Sequence, residues 1–172
     1  MTFDAQPTLT GDLLRLRPLE ESDYADLYAV ASDPLIWEQH PASNRYQAEV
    51  FQKFFQDALD SGGALIAIDH ATDAVIGSSR YHGYNKAASE VEIGWTFLAR
   101  SHWGGRFNGE MKRLMLQHAF RFVDSVIFLI GPNNIRSQRA VERIGGVHEG
   151  SRTDASGMES WLYRIRAADY AV

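Results

Sequence analysis

Cysteine is absent from the 172 residues, which removes disulfides, thiolate zinc sites and a cysteine nucleophile from consideration. Long apolar runs are absent too. The longest, Ala64 to Ile68 and Val126 to Ile130, are far short of the ~20 residues that span a bilayer. Basic charge is not in excess: 17 lysines and arginines face 22 acids, a formal charge of −5, so no overall positive field draws the chain onto nucleic acid or anionic lipid. The opening MTFDAQPTLTGD lacks a positive start followed by an apolar run and does not read as a signal peptide. The histidines show no HxxxH or carboxylate spacing, so nothing signals a metal. These absences imply a cytoplasmic protein with no membrane or nucleic-acid partner. The composition, 45% hydrophobic with 12% aromatic, suffices for a sizeable core, and no repeat or linker divides it. One domain over 1–172 is expected.

Alternation in LLRLRPL, Leu13 to Leu19, predicts a half-buried strand that ends at or runs along an edge at Pro18. Ser22 and Asp23 stand where helix caps stand, before DYADLYAVAS. A second helix is predicted from about Gln47 to Asp60, closed by Ser-Gly-Gly. ALIAID, AVIGSSRYHGYN and EVEIGWTFLA read as an antiparallel meander, the first two joined by a tight turn at Ala71-Thr72-Asp73. A helix over 108–123 leads to the wholly apolar VIFLI, a strand covered on both faces and therefore parallel to the one before the helix. A last helix from Ile135 to Ile144 is capped by Asn134 and Gly145, and two strands follow around a turn containing Asp154 and Gly157. The order predicts an α+β domain with a mixed sheet of about seven strands and about four helices.

FLARSHWGGRFNGEMKRLM, Phe97 to Met115, runs from a strand through adjacent glycines into a helix. Such a loop aims unpaired N–H groups and the positive end of a helix dipole at one point, which suits an anion and above all a phosphate. It is neither a Walker A sequence nor GxGxxG, and a tight turn with no ligand has the same pattern.

EIGWTFLARSHWGGRFNGE resembles the acetyl-CoA segment of the Gcn5-related N-acetyltransferase superfamily, in particular its ribosomal-protein-type branch, where a tryptophan-glycine pair opens the pyrophosphate loop. NNIRSQRAVERIGG, 133 to 146, resembles the second signature of that branch. The resemblance covers nearly the whole chain. It implies a βαβ acyl-CoA unit in which Phe97, Leu98 and Ala99 pair with the pantetheine arm. Arg100 with Gly104, Gly105, Arg106, Phe107, Asn108 and Gly109 would cradle the pyrophosphate, with Asn134 and Ser137 near the thioester. Arg106 and Asn108 stand where the family usually has glycine or alanine. They could crowd the phosphates, or Arg106 could supply a charged fork to them.

The implied activity is transfer of an acetyl group from acetyl-CoA directly to a primary amine, of a small molecule or of a peptide. The amine must lose a proton before it attacks, since a lysine titrates near ~10.4 and an α-amino group near ~8. Glu92 is the expected base, because alternation sets it on one face with Gly94, which leaves room beside it; a solvent-facing strand glutamate would have the same pattern. Val141 stands where many members carry a tyrosine acid, so Ser137 is the expected donor to the leaving thiolate, and a backbone N–H of 97 to 99 would stabilise the oxyanion. His40, His82 and His102 are further candidate bases. Trp37, His40 and Tyr81 are expected to shape the acceptor pocket. A non-catalytic acyl-CoA-binding module is the alternative, motivated by the altered loop and the missing tyrosine. An exposed WLYRI strand could pair with a second copy to give a homodimer.

Overall fold

The computed structural model describes residues 1–170, and its centre is one sheet of eight strands. In chain order the elements are β1 (Leu9–Thr10), β2 (Leu14–Pro18), α1 (Tyr24–Ala31), α2 (Ala48–Ser61), β3 (Ala64–Asp69), β4 (Val75–Asn85), β5 (Glu90–Leu98), α3 (Arg106–Ala119), β6 (Ser125–Ile130), α4 (Ile135–Arg143), β7 (Val147–Thr153) and β8 (Glu159–Arg166). Across the sheet they lie in the order β1-β2-β3-β4-β5-β6-β8-β7, and each pair is antiparallel except β5 with β6. The eighth strand, β1, is two residues long, too short for alternation to reveal it. Among the described residues, no helix is long and apolar enough to cross a membrane.

Two apolar layers cover the sheet. Leu65 and Ala67 of β3 pack with Met111, Met115 and Ala119 of α3 on one face, while Ala64, Ile66 and Ile68 pack with Leu27 of α1 and Phe51, Phe54 and Phe55 of α2 on the other. This double coverage explains why β3 and the start of β6 read as continuous apolar runs. The carboxylate of Glu110 fixes α3 to the sheet by accepting from the backbone N–H groups of Asp12, Leu13 and Leu14 at 2.8–2.9 Å.

Several boundaries differ from expectation. Helix α3 begins two residues early, because Gly104 and Gly105 at φ 115 and 100 complete the turn before Arg106. It ends at Ala119, where Phe122 and Val123 fold back onto the Ala119 carbonyl. Ser22 caps nothing. Instead Glu20 and Asp23 cap a short 3-10 turn reciprocally, and Asp23 also holds both terminal nitrogens of Arg17. The expected free WLYRI edge is corrected as well: β8 is bonded on one side to β6 and on the other to β7, so its backbone is used.

The feature that shapes the site is the junction of β5 and β6. Only Glu90, Val91 and Glu92 pair with Ser125, Val126 and Ile127; beyond them the strands part. On its other side β5 carries a bulge. Phe97 faces Ser78 and Gly94 faces Arg80, so β5 spends one residue more than β4 there, and Trp95 takes φ 53. A non-glycine residue in that region is strained, and such strain concentrates at functional sites.

Candidate active site

The parting of β5 from β6 opens a cleft of about 910 Å³. Its length runs from the Trp103-Gly104-Gly105 loop, along β5 from Ile93 to Leu98 and past α4, to Glu92 and the β7–β8 end.

At the loop end the helix start is bare. Gly105 precedes α3 with no side-chain cap, and the first helical bond is Gly109 N–H to Gly105 O at 2.8 Å. The amides ahead of Gly109 therefore have no acceptor in the helix, and the positive end of the dipole meets the cleft. The Trp103 indole donates to Leu98 O at 3.0 Å and lies 4.2 Å from the Arg136 guanidinium, which pairs with Glu38. The cleft mouth is thus strapped by residues of three segments. His102 is a structural pin: its Nε2 contacts Asp69 at 2.8 Å and its ring meets Phe107 at 4.6 Å.

The fold brings Glu92, Phe97, Leu98, Gly104, Gly105, Asn108, Gly109, Asn134, Ser137, Trp37 and His40 to this one cleft. Asn134 caps α4 by accepting from Ser137 N–H at 3.4 Å. Five expected residues do not line it. Ala99 N–H is spent on Ile76 O, and the Arg100 guanidinium is paired with Asp33 beside a separate hollow. Phe107 packs against His102 and the core beneath α3. Arg106 is exposed and has no ion pair among the described residues. Tyr81 is 2% exposed and donates to Met115 O at 2.6 Å, on the α3 face. His82, not Tyr81, stands opposite Glu92.

Glu92 is half-buried, and burial pushes its carboxyl up to about 7, against the pull of Arg152 and Arg80. A carboxylate so poised can take a proton near neutrality. His40 is driven the other way, down to about 4 by burial and by Arg45. Its Nδ1 accepts from Ala42 N–H at 2.9 Å, so the neutral ring carries its proton on Nε2 and presents a donor rather than a base.

Three charged residues escaped the sequence reading. Lys112, 6% exposed, lies in the cleft wall one helical turn after Asn108, and its Nζ donates to Thr96 Oγ1 at 2.9 Å and Asn108 Oδ1 at 3.3 Å. Burial with no acid beside it lowers the amine to about 7. Arg45 and Arg80 lie among aromatic rings near Glu92. For Lys112 the available signal was its i, i+4 spacing from Asn108; for Arg80 there was none without the strand register, and for Arg45, in a turn, none at all.

This architecture is shared by solved acetyltransferases. A GCN5-related N-acetyltransferase from Brucella melitensis is 20% identical, with TM-score 0.80 over 96% of this chain and 80% of that one. A GNAT-family acetyltransferase from Bacillus anthracis is 18% identical, with TM-score 0.78 over 95% of this chain and 100% of that one. RimJ of Mycobacterium smegmatis, solved in complex with CoA-disulfide, is 18% identical, with TM-score 0.73 over 98% of this chain and 91% of that one. No curated protein sequence matches the chain. The acetyltransferase (GNAT) domain model matches residues 14–147, and the chain, with its split sheet and glycine-opened helix, belongs to that family.

Proposed function

We propose that the protein transfers an acetyl group from acetyl-CoA directly to a primary amine, with Glu92 as the base. The observation that carries this reading is the shared cleft: a carboxylate raised to about 7 stands in the same groove as a bare helix N-terminus. The residues present suit the cofactor. The amides of the Gly104–Asn108 turn would receive the pyrophosphate, Lys112 adds a buried amine in the same wall that would gain its charge beside an anion, and the open β5 edge from Ile93 offers backbone groups to an extended arm. Gly104 and Gly105 line this end and present no Cβ to a close-lying phosphate.

When bound, acetyl-CoA supplies an acetyl group activated as a thioester. Glu92 takes one proton from the protonated amine, directly or through a water, and frees the lone pair that forms the new C–N bond. As the C–S bond breaks, Glu92, having passed the first proton to solvent, takes the second amine proton, and a proton is delivered to the departing sulfur. Ser137 is the proposed donor to sulfur; it lines the cleft, and among the described residues its hydroxyl has no hydrogen-bond partner. With no cysteine in the chain, transfer within a ternary complex is favoured over a thioacyl-enzyme.

Calorimetric titration with acetyl-CoA, then a panel of amines assayed for released thiol, tests the reading. Binding with transfer that Glu92→Gln abolishes is expected. Transfer undiminished in Glu92→Gln removes Glu92 from the mechanism. One observation favours a second reading, a non-catalytic acyl-CoA-binding module: Val141 is buried and, among the described residues, no tyrosine lines the cleft. Binding with no transfer to any amine would support it.

A further inference from the structure

Arg45 and Arg80 form an unneutralised pair beside the proposed base. The Arg45 guanidinium lies 4.4 Å from the Phe54 ring centre and 5.2 Å from that of Trp37. The Arg80 guanidinium lies 5.5 Å from Phe54 and 4.4 Å from Trp95. The two cations thus share one phenyl ring. Among the described residues neither has a carboxylate within ion-pair distance, whereas Arg152 and Arg164 nearby are both paired with Glu90. Arg80 is 6% exposed, and its Nε and one terminal nitrogen have no hydrogen-bond partner.

Two like charges out of water without a counter-ion are costly, and the aromatic faces offset only part of that. Burial lowers both guanidiniums, and Arg45 is lowered further by Arg80, to about 10. Asp57 and Glu92 act on Arg80 only at longer range. An anion would relieve this repulsion. Arg45, which lines the cleft beside Trp37 and His40, is the accessible member, and the neutral His40 ring adds an Nε2–H donor on the same side.

Resting on the transfer reading above, we propose that the acceptor is a small amine bearing a carboxylate, whose carboxylate is held by Arg45 with Arg80 behind it while its amine faces Glu92. Strand register sets the spacing. Arg80 pairs with Gly94 and His82 with Glu92, so Arg80 and Glu92 lie on one sheet face, one same-face step apart, roughly 7 Å along the strands. A free amino acid or short amino carboxylate suits a span of that order, and Arg45, Trp37, Trp95 and Glu92 line the same cleft.

The test pairs each carboxylate with its carboxamide, which lacks that charge: glycine, β-alanine, L-alanine and L-phenylalanine against their carboxamides, with acetyl-CoA and the wild-type, Arg45→Met and Arg80→Met proteins. At least one free acid should exceed its amide tenfold or more in kcat/KM, and Arg45→Met should bring that ratio near one, chiefly through KM, with the Kd for acetyl-CoA unchanged. Peptides beginning Asp-Ala and Asn-Ala separate a side-chain carboxylate on a polypeptide from a free amino acid; a preference confined to the Asp peptide overturns the small-molecule assignment. Amides equal to acids throughout, or a ratio that Arg45→Met does not alter, overturns the anion site. If no amine is acetylated, the transfer reading fails separately, and the site is judged by calorimetry of the same acids on CoA-loaded protein. Binding lost in Arg45→Met supports it, and no binding, or equal binding in both, overturns it. Should Arg80→Met fail to fold, Arg45→Met alone decides.

Discussion

A Cβ placed on Gly94 would stand 3.1 Å from Oε2 of Glu92, a contact close enough that the carboxylate must move aside. Gly94→Ala therefore acts on the base without removing it. Because the neighbour is the mobile end of a side chain, folding should survive, with melting shifted by less than ~1 kcal/mol of stability. Turnover should fall about tenfold while acetyl-CoA affinity holds, which steady-state rates and titration together would read. Unchanged turnover would mean that the Glu92 position is not critical.

The raised carboxyl of Glu92 predicts a pH profile. With its carboxyl at about 7, kcat/KM should climb to a plateau through an acidic limb near that value, and Glu92→Gln should lose ~10²–10⁴ in rate. Stability carries the matching sign. A carboxyl whose folded value lies above its unfolded ~4.3 stabilises fully at low pH, and that contribution is lost as pH rises from about 4 through 7. Glu92→Gln should flatten this part of the melting profile.

Arg152 is the larger of the two cations that hold Glu92 down. Arg152→Met should move the acidic limb upward. Its side chain is 48% exposed, so its field is open to screening, and raising the salt on the wild-type protein should shift the limb in the same direction. A limb that moves down in the variant would contradict the assignment of that limb to Glu92.

Lys112 gives the opposite base-type signature. Its folded value of about 7 lies below the unfolded ~10.4, so its contribution is present at high pH and is lost as pH falls from about 10 through 7. Lys112→Met should remove that slope and melt higher than wild type at pH 6. A bound pyrophosphate favours the charged amine, so titration with acetyl-CoA at pH 8 in buffers of different ionisation heat should show proton uptake that Lys112→Met abolishes.

The loop variants should separate geometry from charge. Gly105 has φ 100, where any side chain is strained, so Gly105→Ala should cost ~1 kcal/mol or more of stability and weaken acetyl-CoA binding severalfold or more. Arg106 is exposed and outside the cleft wall, so Arg106→Ala should weaken binding less than Gly105→Ala. Calorimetry on both ranks them.

Much of this site was legible because the fold writes it locally. The paired glycines before a helix, and Glu92 two residues from Gly94, are relations within one short segment, and period and spacing suffice to see them. The residues misread depend on contacts between distant segments. Tyr81 and His82 differ by one position, and which of them faces Glu92 rests on the β4–β5 register, which a bulge at Trp95 shifts; a one-residue slip exchanges the two faces of a strand. Arg100 turns to Asp33, 67 positions away, a pairing no local pattern announces. Lys112 reads as a polar helix position until Thr96 and Asn108 are seen enclosing its amine.

The three residue pairs between β5 and β6 make the sheet two panels, five strands and three, sewn by a short seam. An extended chain lodged in the gap would act as a missing strand between the panels and close the ladder that the protein leaves undone. Occupancy of the cleft would then carry the ladder further along a seam whose two sides already share one core, from Leu14 and Leu65 to Val126 and Ile165.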